Sequence, residues 1–332
     1  MAINKRRLAG LIVRSILISG AVYFAIAGGL ILSQWPQPPA PDSKGLDFSD
    51  LFFDYSGLPQ LQTFNARDGA RLSFRLYPAP TDVTLVLLHG SAWHSRYFLP
   101  LAQYISSQGL AQVYTPDLRG HGQRPIRRGD VDYIGQLEDD LIDFIAFIRR
   151  ENPKARIILG GHSSGGGLAL RLAGNQNCPQ VEAYVLIAPY LGYDAPTVRP
   201  ASGGFASAYV RRIIGLTMLN NLGLTWFNHL TVLSFNMPDR ARDGTETLSY
   251  SFRLTISYAP RDYRKDLPAI SQPLLVVVGT KDKAMITGQF KPLISKYNRG
   301  RVVQIPGVSH MGAVVGPEIR PVIRKWLTSL GL

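Results

Sequence analysis

Apolar positions along this chain fall into runs of two periods. Continuous runs rich in branched residues occupy 83–88, 111–115, 156–159, 181–188, 274–278 and 302–305, each closed by Gly, Pro, Asp or His. Runs of this length predict strands buried on both faces of a parallel sheet. Between them the period changes. In 134–150, Leu137, Leu141, Ile145 and Ile148 recur at helical spacing, with acids early and arginines last, as the helix dipole favours. Segments 98–107 (closed by Gly109) and 318–330, with Trp326 on its apolar face, predict two more helices. Runs 61–66 and 72–77, joined through Arg67-Asp68-Gly69-Ala70, predict a hairpin before the alternation begins. Strands alternating with helices predict an α/β fold with a doubly wound, mainly parallel sheet.

The alternation fails at two places. From 8 to 32 the chain is apolar with one charge, Arg14, and 15–33 carries none; Lys5-Arg6-Arg7 precede it. About 20 apolar residues span a bilayer as a helix, and preceding positive charge keeps the N-terminus cytoplasmic. A cleaved signal peptide would use Ala25-Ile26-Ala27, but Gly28-Gly29-Leu30-Ile31-Leu32 prolongs the apolar run past that site. A buried core helix would leave the flanking charges unexplained. The expectation is an uncleaved single-pass anchor over 1–34, with the remainder on the non-cytoplasmic side. Cleavage would instead give a secreted or periplasmic protein. Trp35 would sit at the interface, and Pro36-Gln37-Pro38-Pro39-Ala40-Pro41 opens a stiff linker, 35–59, to a domain over 60–332.

The second break, about 190–266, carries apolar residues without strand or helix order, among them Trp226 and Phe227. Its place after the fourth parallel run, the strand at 181–188, predicts a helical cap over the carboxyl edge of the sheet. Inward-facing, Trp226 and Phe227 would line an acyl pocket; otherwise the segment packs on the body. His229 reads as a packing or capping histidine.

Charge and cysteine narrow the partners. The net charge is +13 and the pI about 9.9, with basic residues scattered outside any nucleic-acid motif. No nucleic-acid partner is expected; an anionic membrane surface suits the apolar N-terminus better. One cysteine, Cys178, excludes an intramolecular disulfide and leaves the compartment open. Neither metal-ligand spacing nor a dinucleotide or phosphate loop occurs, so no metal and no cofactor are expected.

Chemistry concentrates at Gly161-His162-Ser163-Ser164-Gly165. A strand, then G-x-S-x-G, then a helix-forming segment is the order of a nucleophile elbow, which lifts Ser163 off the sheet edge at a helix N-terminus. The strand at 274 ends in Gly279-Thr280-Lys281-Asp282, and the strand at 302 leads to Ser309-His310. Ser, then acid, then His is the chain order of elbow enzymes of this kind, and strand ends converge on one edge. His310 would take the Ser163 proton, and Asp282 would hold the imidazole. Asp117 is the alternative acid. The loop His89-Gly90-Ser91 after the strand at 83 supplies a second backbone donor, so the oxyanion N–H groups fall on Ser91 and Ser164. His89 reads as structural.

His89-Gly90-Ser91 with His94-Ser95-Arg96-Tyr97, then Pro116-Asp117-Leu118-Arg119-Gly120-His121-Gly122, then the elbow, resemble the α/β-hydrolase superfamily over about 60–330. The branch most similar holds monoacylglycerol lipases, lysophospholipases and serine aminopeptidase-like hydrolases. The resemblance implies a serine hydrolase that cleaves carboxylic esters through an acyl-enzyme, with lipid or lysolipid esters as substrates. A peptidase acting on short peptides is the alternative within the branch. A non-catalytic binding protein of the same fold would have no need of all three groups.

Overall fold

A computed structural model describes residues 5–37 and 45–332. Residues 1–4 of the expected anchor and 38–44 of the proline-rich linker lie outside the described residues. The central sheet has eight strands: β1 (Gln62–Asn65), β2 (Arg71–Tyr77), β3 (Val83–Leu88), β4 (Gln112–Pro116), β5 (Arg156–His162), β6 (Ala183–Ile187), and, beyond the cap, β10 (Leu274–Gly279) and β11 (Arg301–Ile305). Their spatial order is β1-β2-β4-β3-β5-β6-β10-β11. The hairpin strand β2 meets β4 antiparallel, and every pair from β4 to β11 is parallel. Chain order reverses around β3, so the loops leaving β3 and β5 open side by side at the carboxyl edge, where such sheets bind ligands.

Burial follows the runs. Every residue of β3, β6 and β10 is buried, as expected of strands covered by helices on both faces. Helix Gln136–Glu151 turns Leu137, Leu141, Phe144, Ile145 and Ile148 inward, and its first turn is acidic while its last is basic. The closing helix Ile319–Ser329 buries Trp326.

The cap departs from a purely helical expectation. Three short strands, β7 (Ala206–Ala208), β8 (Thr231–Phe235) and β9 (Ser249–Ser251), form a separate antiparallel sheet in the order β7-β8-β9. Pairing partners lie tens of residues apart, as in Ala206 with Phe235, so no local period announces them. The helix Val210–Asn220 crosses between β7 and β8. The N-terminal helix, Lys5–Leu32, is long and apolar enough to cross a bilayer and stands mostly exposed. Its last turns pack on the cap. There Ala27 and Ile31 join Leu216, Leu219, Val232 and Phe252 in an apolar cluster separate from the main core.

Candidate active site

β5 ends at His162, and Ser163 turns the chain into the helix Ser164–Ala173 with φ 54° and ψ −121°. A non-glycine residue in such a conformation costs about 1–3 kcal/mol and persists only where its surroundings hold it. Here the Ser163 N–H donates to Ile187 O at 2.9 Å, and Ser163 O accepts from Tyr190 N–H at 2.9 Å and Gly167 N–H at 3.1 Å. Glycines make room for the turn. A Cβ on Gly165 would collide with the Leu88 and His89 carbonyls, and one on Gly161 with the Gly165 backbone. The half-buried Ser163 hydroxyl is left without a hydrogen-bond partner among the described residues.

Asp282 and His310 are brought together from the ends of β10 and β11. His310 Nδ1 donates to Asp282 Oδ2 at 2.6 Å, and both side chains are buried. The second carboxylate oxygen accepts the N–H groups of Ala284 (2.8 Å) and Met285 (2.9 Å), which fixes the plane of the group. Burial pushes the Asp282 pKa up, but the His310 ring and the two backbone donors outweigh it, and the net direction is down. With Nδ1–H committed to Asp282, Nε2 is the nitrogen free to accept a proton. The His162 ring lies 4.7 Å from the His310 ring, and its Nε2–H donates to His310 O at 3.2 Å. That bond positions the histidine loop against the elbow.

The loop after β3 carries a distinctive division of labour. Gly90 N–H donates to Tyr97 Oη at 2.7 Å, and Ala92 N–H donates to Tyr250 Oη at 2.9 Å. Ser91, between them, has no partner for its N–H among the described residues. Its hydroxyl meets the Ser164 hydroxyl at 2.6 Å and ties this loop to the first turn of the elbow helix. Two unspent N–H groups, those of Ser91 and Ser164, therefore flank the serine, at a helix N-terminus where the dipole favours negative charge.

Behind these groups lies a buried polar layer that the sequence did not announce. Tyr97 donates to His162 Nδ1 at 3.0 Å while accepting from Gly90. Tyr250 hydrogen-bonds His121 Nε2 at 2.6 Å, and His121 Nδ1 meets Arg119 O at 3.1 Å. Tyr258 donates to His89 O. His89 uses both nitrogens locally: Nδ1 donates to Gly90 O at 2.8 Å, and Nε2 accepts Leu118 N–H at 3.0 Å. Burial lowers its pKa to about 4, and burial likewise lowers those of His121 and His162 well below the usual value. These imidazoles are neutral braces. Asp117, the alternative acid, instead caps Ser95 N–H at 2.9 Å beside His94. The His94-Ser95-Arg96-Tyr97 motif was the available signal for Tyr97; nothing local marked Tyr250, which arrives from the cap.

Trp226 and Phe227, the expected pocket residues, are not enclosed. They lie on the turn between the cap helix and β8, with 77% and 48% of their surface exposed, and His229 Nδ1 merely bonds Trp226 O. An acyl pocket requires enclosed apolar side chains, and these face outward. Among the described residues no three His, Cys, Asp or Glu side chains gather as a metal site would require.

Residues 79–311, which contain Ser163, Asp282 and His310, match the family described as "Serine aminopeptidase, S33". The chain belongs to this family. It is a serine hydrolase of the α/β-hydrolase superfamily, in the branch of the monoglyceride lipases. The rat (Rattus norvegicus) monoglyceride lipase is 24% identical over 237 residues, 69% of this chain and 74% of the rat protein. Among solved structures, a soluble variant of the Saccharomyces cerevisiae monoglyceride lipase, bound to a substrate analogue, superposes with a TM-score of 0.65. It is 18% identical and covers 84% of this chain and 98% of its own. A membrane phospholipase A described as a bacterial virulence factor has a TM-score of 0.58 at 18% identity. Its alignment covers 98% of this chain and 99% of its own, which takes in the N-terminal helix.

Proposed function

We propose that this protein is a membrane-anchored hydrolase of lipid or lysolipid esters, acting through Ser163, His310 and Asp282. The observation that carries this reading is the buried Asp282–His310 pair at the edge where Ser163 stands with a free hydroxyl. His310 Nε2 takes the hydroxyl proton as Ser163 Oγ attacks the ester carbonyl, and Asp282 stabilises the resulting imidazolium. The oxyanion is received by the N–H groups of Ser91 and Ser164. Collapse expels the alcohol, protonated by His310, and leaves an acyl-serine; water repeats the sequence with His310 as base and frees the acid.

Support for the lipid class comes from two directions: the monoglyceride lipases among the relatives, and the apolar helix that the membrane phospholipase A alignment also spans. In this reading Lys5-Arg6-Arg7 stay cytoplasmic and the catalytic domain lies on the other side. The test pairs a fluorophosphonate probe with a substrate panel of monoacylglycerols, lysophospholipids, p-nitrophenyl esters of increasing chain length and aminoacyl anilides. Folded Ser163→Ala should lose all labelling and on the order of 10⁶-fold in kcat. Retained labelling would remove Ser163 from its role. Faster turnover of anilides than of esters would make the enzyme a peptidase.

A further inference from the structure

The N-terminal helix grips the cap. Tyr23, Ala27 and Ile31, four residues apart and so on one helix face, are the positions that meet the cap helix Val210–Asn220. The joint is close at Gly215: a Cβ there would stand 2.6 Å from Ala27 O and 2.8 Å from Ile31 Cγ1. Polar bonds lock both ends. Tyr23 Oη donates to Met218 O at 2.7 Å, and Arg212 Nε donates to Ile31 O at 3.2 Å, its guanidinium also lying over the Trp35 ring.

Depth follows from this contact. Residues 15–33 carry no charge and rise about 27 Å as a helix, close to the roughly 30 Å hydrocarbon layer. Tyr23 to Ile31 lie within the last ~15 Å of that rise. A cap helix paired with them cannot remain outside the layer that the anchor crosses.

The chemistry of the cap surface agrees. No Asp, Glu, Lys or Arg occurs in 213–238. Val210, Ile214, Leu222, Trp226 and Phe227 are each about half exposed or more. Three of the polar side chains between them, Thr217, Asn220 and Asn228, are satisfied internally, as hydrocarbon favours, while Asn221, Thr225 and His229 stay exposed. Asn220 and Asn228 exchange bonds of 2.6 and 2.8 Å, Asn220 also donates to Leu216 O, and Thr217 donates to Ile213 O. Arg212 and Trp35, at the anchor's end, have the composition of an interfacial belt.

We propose that this apolar face of the cap is inserted in the lipid leaflet beside the last turns of the anchor, as a second, non-spanning membrane element clamped to the first at Gly215. The proposal rests on the reading of the N-terminal helix as a membrane span. It assigns Trp226 and Phe227 to lipid rather than to an acyl pocket.

The test uses the full chain in vesicles of phosphatidylcholine with a minority of phosphatidylglycerol. In a Cys178→Ser background, single cysteines at Ile16, Lys154, Leu222 and Trp226 carry a nitroxide, read by collision with oxygen and with a water-soluble nickel chelate. Labels at 222 and 226 should match the label at 16, with oxygen collisions raised and nickel collisions several-fold below those at 154. Gly215→Ile should return labels 222 and 226 toward the nickel values while label 16 stays in lipid.

Nickel access at 222 and 226 equal to that at 154, with 16 still in lipid, overturns the proposal and leaves the anchor standing. Nickel access at 16 overturns both. Spin–spin broadening at 222 and 226, with both collision partners excluded, assigns the face to a second copy of the chain and overturns lipid contact. Labels unmoved by Gly215→Ile overturn the clamp.

Discussion

The catalytic body and the cap treat water in opposite ways. In the body, the histidines around the elbow are taken out of water and given partners: His89, His121 and His162 are buried, neutral and bonded at both ring nitrogens. On the outer face of the cap, Asn220 and Asn228 are paired with each other while Leu222, Trp226 and Phe227 stay outside. A buried polar layer of the first kind is costly to disturb, because a lost partner strands a desolvated group. A surface of the second kind tolerates change in water and acquires its purpose from its surroundings. Some cap residues belong to both regimes, Tyr250 among them. Tyr250 lies on cap strand β9, yet its hydroxyl holds Ala92 N–H and His121 in the body.

Four measurements bear on that contrast. Asp282→Asn leaves the shape intact but favours the wrong His310 tautomer, so kcat should fall by up to ~10⁴-fold with the melting temperature nearly kept. Near-normal turnover would move the acid elsewhere. Acid should next loosen the body. The His89 pKa falls from 6.5 to about 4 on folding, so between those values the unfolded chain binds a proton that the folded one refuses. Stability is therefore full above about 6.5 and is lost as the pH drops toward 4, by roughly 3 kcal/mol from this residue, with His121 and His162 acting in the same direction. Asp282, held below its usual range, adds a further loss beneath about pH 4. Melting temperatures recorded from neutral pH downward check the sign; a flat profile would mean that these rings are not buried neutral. Tyr250→Phe strands Ala92 N–H and His121 Nε2 and should cost about 1–3 kcal/mol. It should also lower kcat more than it changes KM, since the loop that presents Ser91 loosens; steady-state kinetics alongside melts separate the two. Leu222→Ser, on the outer cap, should move stability in detergent by less than about 0.5 kcal/mol. A cap substitution as damaging as Tyr250→Phe would erase the distinction between the regions.

The same contrast explains what the sequence disclosed. Strands β3, β5, β6 and β10 are local facts: a branched run ended by a turn residue is visible wherever it lies. Ser163 and the strand ends that bear Asp282 and His310 are legible for the same reason, since a sharp turn imposes its glycines on neighbouring positions. The cap strands β7 and β9 are three residues each, and their existence depends on β8 arriving from far along the chain. Tyr250 and His121 were invisible as a pair because 129 residues separate them. Trp226 and Phe227 were legible as apolar but not as outward-facing, because apolar content alone does not say which medium lies beside it.

The contact between Tyr23 and Met218 spans 195 positions of the chain. At ~5–20 residues per second of synthesis, the first helix is finished roughly 10–40 s before its cap partner exists. Through that interval no other part of the protein covers the face that carries Ala27 and Ile31. Lipid can cover it from the outset. In the membrane-anchored reading proposed above, the bilayer is the helix's first partner, and maturation is an exchange in which the late-arriving cap helix displaces acyl chains from the face that carries Ala27 and Ile31.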